Sequence, residues 1–291
     1  MRGPLLVASV ALAVVAHVPT LLRAQSAPPD TAAAAPIEDN SFLIEEAYNQ
    51  ERGVVQHINT FQHATTGRGW LYTFTQEWPA PGIRHQLSYT IPVVQADAPG
   101  ASARVGDVAL NYRFQALEGN HRYFAPRLTV LLPTGSAARG SGAGGTGLQA
   151  DLPLSLELSP RWAAHTNVGG TLVPHGETSD GQAMIARNVT LAQSVIYLPA
   201  TTFNLMLETV WSRTTGELKR AQAGAASGDL PTSQSLVVSP GARYAFNFAS
   251  GLQIVPGVAV PLTITGHSGA YDTQPSVFLY LSFEHPFRHV Q

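Results

Sequence analysis

The sequence contains no cysteine, which excludes a disulfide framework and a lipid anchor on an N-terminal thiol. Charge is scarce: Asp, Glu, Lys and Arg supply 12% of the 291 residues, about half the share of an ordinary soluble domain, while the hydrophobic fraction is an unexceptional 44%. With a formal net charge of −2 and no basic cluster, the chain lacks the electrostatic footprint of a nucleic-acid binder. Beyond the N-terminus no apolar run is long enough for a helix to span a bilayer. Average apolar content with few charges implies a non-ionic surface, as a lipid-facing exterior or a Ser/Thr/Gly-rich secreted sandwich would have.

Arg2 is followed by a largely apolar run from Leu5 to Ala16 and then by small and polar residues, the layout of a secretory signal peptide. Cleavage after Ala24 removes Arg2 and Arg23 and no acid, taking the formal charge from −2 to −4. Gln25 to Asp39 is Ala/Pro-rich without periodicity and reads as a leader. From Asn40 to Arg52, Phe42, Leu43, Ala47 and Tyr48 recur at helix-like spacing, and Asn40 or Ser41 could cap the first turn. This predicts a short amphipathic periplasmic piece, either packed at a barrel mouth or entering the lumen as a plug.

The stretch from Val105 to Leu132 carries the fold. Val108, Leu110, Tyr112 and Phe114 share one parity, and Asp107, Asn111 and Arg113 hold the other. After a polar break at Gln115 to Arg122, Phe124, Leu128, Val130 and Leu132 oppose Arg127 and Thr129, which makes an antiparallel hairpin. Each arm is about ten residues long, enough to cross hydrocarbon when tilted, and its polar face carries full charges. About twelve such windows follow one another from Val54 to Phe287 with no convincing helix. Brief connections such as Leu158 to Pro160 alternate with longer Gly-rich or polar ones such as Pro133 to Gly145, Pro174 to Asn188 and Thr214 to Gln234, as in outer-membrane barrels. Trp78, Phe114, Phe124, Trp162, Tyr197, Tyr244, Phe246 and Phe283 fall toward one set of strand ends, and Trp70 and Trp211 toward the other, as two interfacial girdles would require.

Motifs of chemistry are few. Gly142, Gly144 and Gly147 match the spacing of a dinucleotide-binding loop, but Leu148 to Leu156 alternates at period two and contains Pro153, so no helix starts there. There is no Gly-x-Ser-x-Gly elbow and no His-Glu-x-x-His, and neither a catalytic residue, a metal site nor a cofactor is expected. The informative set is the polar parity: Asp107, Asn111, Arg113, Arg127, Gln149, Asp151, Glu157, His165, Asn167, Glu208, Arg243 and Glu284 face the interior if the apolar parity faces lipid. Such groups need water or mutual pairing. They form either a salt-bridge network that seals the lumen or a hydrated conduit lined by both signs of charge, with Asp107, Arg113, Arg127 and Asp151 steering solutes.

The run from Glu38 to His57, with Gly106 to Arg113 and Ala125 to Gly135, resembles a group of bacterial outer-membrane transporters of the MetA-pathway phenol-degradation family. The resemblance covers roughly Ile37 to the C-terminus and implies a monomeric barrel that admits hydrophobic or aromatic compounds. Many bacterial barrels end on an aromatic residue read by the barrel assembly machinery. Here Phe287 is followed by Arg-His-Val-Gln, so that signal would lie internally, around Phe283 and Phe287. The expectation is an all-β protein: one antiparallel transmembrane barrel of about twelve strands in outer-membrane lipid, passing small amphipathic solutes. A closed structural or adhesive barrel and a barrel lipase, with Ser and His aligned outside the wall, are the rival readings.

Overall fold

The protein is described by a computed structural model over residues 36–219, 228–267 and 270–286. The expected signal peptide, most of the Ala/Pro-rich leader and the segment from Phe287 onward lie outside the described residues. Twelve antiparallel strands form one sheet. They are β1 (Val54–Ala64), β2 (Trp70–Pro79), β3 (His85–Gln95), β4 (Arg104–Val105 and Val108–Phe114), β5 (Arg122–Phe124 and Arg127–Leu132) and β6 (Gly147–Ser159). The second half is β7 (Trp162–Glu177), β8 (Ala183–Ala200), β9 (Phe203–Leu218), β10 (Ser233–Tyr244 and Phe246–Asn247), β11 (Gln253–Ala259 and Leu262–His267) and β12 (Ala270–Pro286). Each strand pairs with its sequence neighbours, and β1 pairs with β12 from Val54 opposite Pro286 to Ala64 opposite Ser276, which closes the sheet into a barrel. Closure satisfies the backbone polar groups of a wall that meets hydrocarbon.

The alternation that builds the strands is inverted relative to a water-soluble sheet. In β9, Leu207 is 50% exposed on the outside while the next residue, Glu208, is 0% exposed on the inside. In β6, Leu148, Leu152 and Leu154 point out, and Asp151, Pro153 and Ser155 are buried. Apolar residues outside and polar residues inside is the pattern of a wall set in lipid. Trp162 against Tyr197 at 4.7 Å and Tyr244 against Phe246 at 4.9 Å between ring centroids lie toward the near ends of their strands, whereas Trp211, expected at an outer end, lies near the middle of β9.

With an even strand number, β1 begins and β12 ends at one rim, the near end, and the opposite rim is the far end. One expected loop is largely strand and another is strand at its two ends. Much of Pro174 to Asn188 is taken up as β7 runs to Glu177 and β8 starts at Ala183, and β9 claims Thr214 to Leu218. β7, β8 and β9 have 16, 18 and 16 residues, more than the roughly 9–11 that cross hydrocarbon, so Gly and polar residues there continue the ladder into water. The break between β4 and β5 is itself a small hairpin: Leu117–Gly119 pairs with Arg122–Phe124, and Asn120 and His121 supply the positive φ angles of 52° and 60° that its two-residue turn needs. The glycine run after β5 packs against β7. A Cβ on Gly145 would lie 1.8 Å from the His175 carbonyl oxygen, so glycine serves close packing there and not phosphate binding.

Candidate functional site

The chain before β1 lies against the inward face of the barrel. It starts at the near rim, where Ile37 N–H donates to Thr201 O at 2.8 Å. It rises to Glu208, whose Oε1 accepts from Phe42 N–H at 3.0 Å and Leu43 N–H at 2.9 Å. Ala47 N–H donates to Ser155 Oγ at 2.8 Å, and Gln115 Nε2 donates to Ala47 O at 2.8 Å. Gln50 N–H then donates to Gln86 Oε1 and its Nε2 to Gln56 Oε1, both at 2.7 Å, before the chain turns into β1. The segment thus runs from the β8–β9 side past β6 and β3 to β1. It is not the amphipathic helix its apolar spacing predicts. A helix would satisfy these amides internally, whereas wall side chains take them here, and the chain stays extended and bent.

Packing explains the apolar residues that mimicked a helix. Phe42 sits over Gly241 and Gly257, where a Cβ would come within 2.7 Å and 2.6 Å of its ring, and its centroid is 5.4 Å from Phe278 and 5.1 Å from Tyr280. Tyr48 meets Tyr123 edge-on at 4.7 Å.

Charge concentrates on the same level. Glu45 takes Arg113 Nη1 at 3.3 Å on one oxygen and Arg127 on the other, and Arg127 Nη2 also reaches Asp151 at 3.1 Å. Arg113 further holds Glu46 O at 3.0 Å and Asn49 Oδ1 at 3.2 Å. Arg243 Nη2 donates to Glu38 O at 2.6 Å, and Asn204 Nδ2 donates to the same oxygen at 3.0 Å. The surrounding wall and the neighbouring acids Glu284, Glu46 and Asp39 push the Glu38 carboxyl up to about 8. For Glu46, desolvation outweighs the attraction of Arg113, and its carboxyl rises to about 7.

Most of the residues expected to line a conduit are therefore engaged by the inner segment. Arg113, Arg127, Glu208 and Arg243 hold it as described, Asp151 braces Arg127, and His165 Nε2 meets Asp39 O at 2.8 Å. Asn167, with its amide set to match its surroundings, donates to Glu45 O and accepts from Glu45 N–H, each at 2.8 Å. Glu284 accepts from Gln56, itself bonded to Gln50. Asn111 belongs to a wall network, donating to Ser88 Oγ at 3.1 Å and accepting from Thr129 Oγ1 at 2.8 Å, and Gln149 stands across from Thr129. Asp107 corrects the steering expectation: its carboxylate accepts from Gly135 N–H at 2.9 Å and Ala143 N–H at 2.7 Å, so it pins the loop after β5. Glu157 is at the near rim, exposed, with His121 and Tyr123. Sequence reasoning missed Glu38, Glu45, Glu46, Asn49 and Gln50 as functional residues. The signal available was their acidic and amide composition, complementary to the inward arginines.

Ser155 Oγ lies 2.7 Å from His165 Nδ1, a hydrogen-bonded pair of the kind a hydrolase uses. Both side chains are fully buried inside the barrel, and Ser155 already accepts from Ala47 N–H, so the pair anchors the segment. The far half of the interior is different in character. Thr60 pairs with Thr73 at 2.6 Å, Thr75 with Thr90 at 2.8 Å and Ser212 with Ser235 at 2.8 Å, giving a hydroxyl-lined wall. At the far rim an open-mouthed cavity of about 320 Å³ is lined by Leu71 and Val94 on one side and by Gln62, Thr263 and Gln274 on the other.

The chain is similar in fold to an outer membrane channel from Pseudomonas putida F1. The two share a TM-score of 0.61 and 13% sequence identity over 84% of this chain and 99% of that one. At that identity the likeness is one of fold. The KdgM porin (TM-score 0.46, 6% identity, 79% of this chain and 98% of that one) and the NanC porin (0.44, 9%, 79% and 98%) are more distant. No protein-family model matches the chain, and no curated protein matches it in sequence.

Proposed function

We propose that the protein is a bacterial outer-membrane channel for small amphipathic solutes, closed toward the periplasm by its own residues 36–53. The observation that carries this reading is the split lumen: a hydroxyl-lined far half with an amphipathic cavity whose one charged lining residue among those described is Asp97, and a near half crossed by a charged strap. A solute would enter at the far rim, rest between Leu71 and the amides, and pass once the strap yields. Few fixed charges in the far half disfavour selection by charge sign. The resemblance to phenol-degradation transporters suggests aromatic solutes. The cavity, at the small end of the roughly 300–1,000 Å³ of ligand pockets, supports solutes of about one ring.

The second reading is a sealed structural barrel, favoured by the double engagement of Glu45 by Arg113 and Arg127. Single-channel recording of the mature chain and of a variant lacking residues 36–50 decides between them. Steps in the full chain that grow severalfold in the variant support the channel with a strap. Silence from both, with folded barrel verified on gels, leaves the sealed barrel.

A further inference from the structure

Ser194, Glu208 and Ser239 stand opposite one another on β8, β9 and β10, one row across the inward face. All three side chains are 0% exposed. Ser194 Oγ, Glu208 Oε2 and Ser239 Oγ have no hydrogen-bond partner among the described residues. The strap adds two more such atoms, Asn40 Oδ1 and Ser41 Oγ, on residues only 5% and 7% exposed. These two residues directly precede Phe42 and Leu43, whose amides occupy the other oxygen of Glu208, so the strap is docked on this row. Buried polar atoms are nearly always paired, and several orphans gathered on one row and the strap docked over it require a common explanation.

Two features of the group select that explanation. The five orphans of this row and strap are all oxygens, the donor set of a hard cation and not of a transition metal; the remaining buried orphan among the described residues, Arg127 Nε, belongs to the Glu45–Asp151 cluster. Among the described residues no ion pair reaches Glu208: those of the interior join Glu45, Asp151 and Asp39 to Arg113, Arg127 and His165, and Arg243, which attracts it through space, is hydrogen-bonded to Glu38 O and Asn204 Oδ1 instead. Two backbone amides ease one of its oxygens, but a buried carboxylate whose second oxygen has neither donor nor cation is costly. We propose that Glu208, Ser194, Ser239, Asn40 and Ser41 bind a hard cation, Na⁺ or Ca²⁺, that fastens the strap to β8–β10. One carboxylate, one amide oxygen and three hydroxyls carry a single negative charge, so a monovalent ion leaves the site neutral, while Ca²⁺ leaves one positive charge beside Glu38 and Glu46.

Thermal unfolding of the full folded chain in detergent tests this, in chelator-treated buffer with choline chloride, NaCl or CaCl₂ at matched ionic strength. The expected result is a saturable rise in Tm of roughly 3–6 °C with Na⁺ or with Ca²⁺ over choline. The rise should vanish in Glu208→Gln and shrink in Ser239→Ala. Ser239→Ala, which removes only one neutral ligand, keeps the test open should Glu208→Gln fail to fold. Equal Tm values in all three salts mean that buried water alone fills the site and overturn the proposal. So does a cation response that both variants retain. The measurement does not depend on conductance, so a silent barrel with a cation-dependent Tm would reject the channel and keep the site.

Discussion

Glu45 reaches Arg113 at 3.3 Å, joining the strap to β4 across 68 residues of sequence, and its second oxygen holds Arg127. Arg113 is only 2% exposed, so loss of its carboxylate partner leaves a buried charge leaning on backbone and amide oxygens alone. Glu45→Gln should weaken strap docking by roughly 1–3 kcal/mol while the closed barrel persists, because no strand contact is touched. A Glu-specific protease would read this as faster cleavage at Glu46, which wild type protects. Equal cleavage rates in the two proteins would mean that the pair does not hold the strap.

Phe42 occupies its position because Gly241 and Gly257 leave room for the ring. Gly257→Val should expel the ring, costing about 1–3 kcal/mol as overpacked sites do, and Phe42→Ala should cost about 3–5 kcal/mol as a cavity. The double variant should cost less than the sum, since valine then fills part of the vacated space. A double-mutant cycle by urea unfolding measures the coupling. Strict additivity would place the two residues out of contact.

The barrel was legible because its period is two and its neighbours are local. Leu110 and Tyr112 pair with Val130 and Leu128 as their parity demands, and Asn111 and Arg113 fall on the buried face. The strap was not legible, for a physical reason. Its partners Glu208, Arg127, Ser155 and Gln86 sit on four different strands, so its polar residues follow no period at all. Phe42, Leu43, Ala47 and Tyr48 imitate a helix by coincidence, each placed by a different patch of wall. Loop lengths were overread for a related reason: past the hydrocarbon, strands such as β9, with Arg213, Thr214, Thr215, Gly216 and Glu217, carry polar residues and glycine in succession, and composition no longer separates strand from loop.

Glu46 gives the strap a pH dependence with a definite sign. Its carboxyl rises from 4.5 to about 7 on folding, so between those values the docked strap binds more protons than the free one. Docking is then strongest below about 4.5, weakens as pH rises, and has lost this contribution above about 7. Single-channel recordings should show longer open periods at pH 8 than at pH 5. Glu46→Gln, neutral throughout, should reduce the difference, the remainder coming from Glu38, and a wild type that opens more at pH 5 would contradict the assignment.

The two faces of the wall can be separated within one strand. Leu207 faces outward at 50% exposure beside the fully buried Glu208, and Val210, of the opposite parity to Leu207, points into the hydroxyl-lined half. An arginine at Leu207 must meet hydrocarbon and should cost about 2–4 kcal/mol in a lipid-reconstituted unfolding titration. At Val210 the same side chain enters water beside Ser212 and Ser235, where about 1 kcal/mol or less is expected. Val210→Arg should instead shift reversal potentials toward anions, because it adds a positive charge to a lumen that carries few there. If Val210→Arg proves the costlier of the two, inside and outside are exchanged, and a lipid-facing exterior with a watery lumen cannot stand.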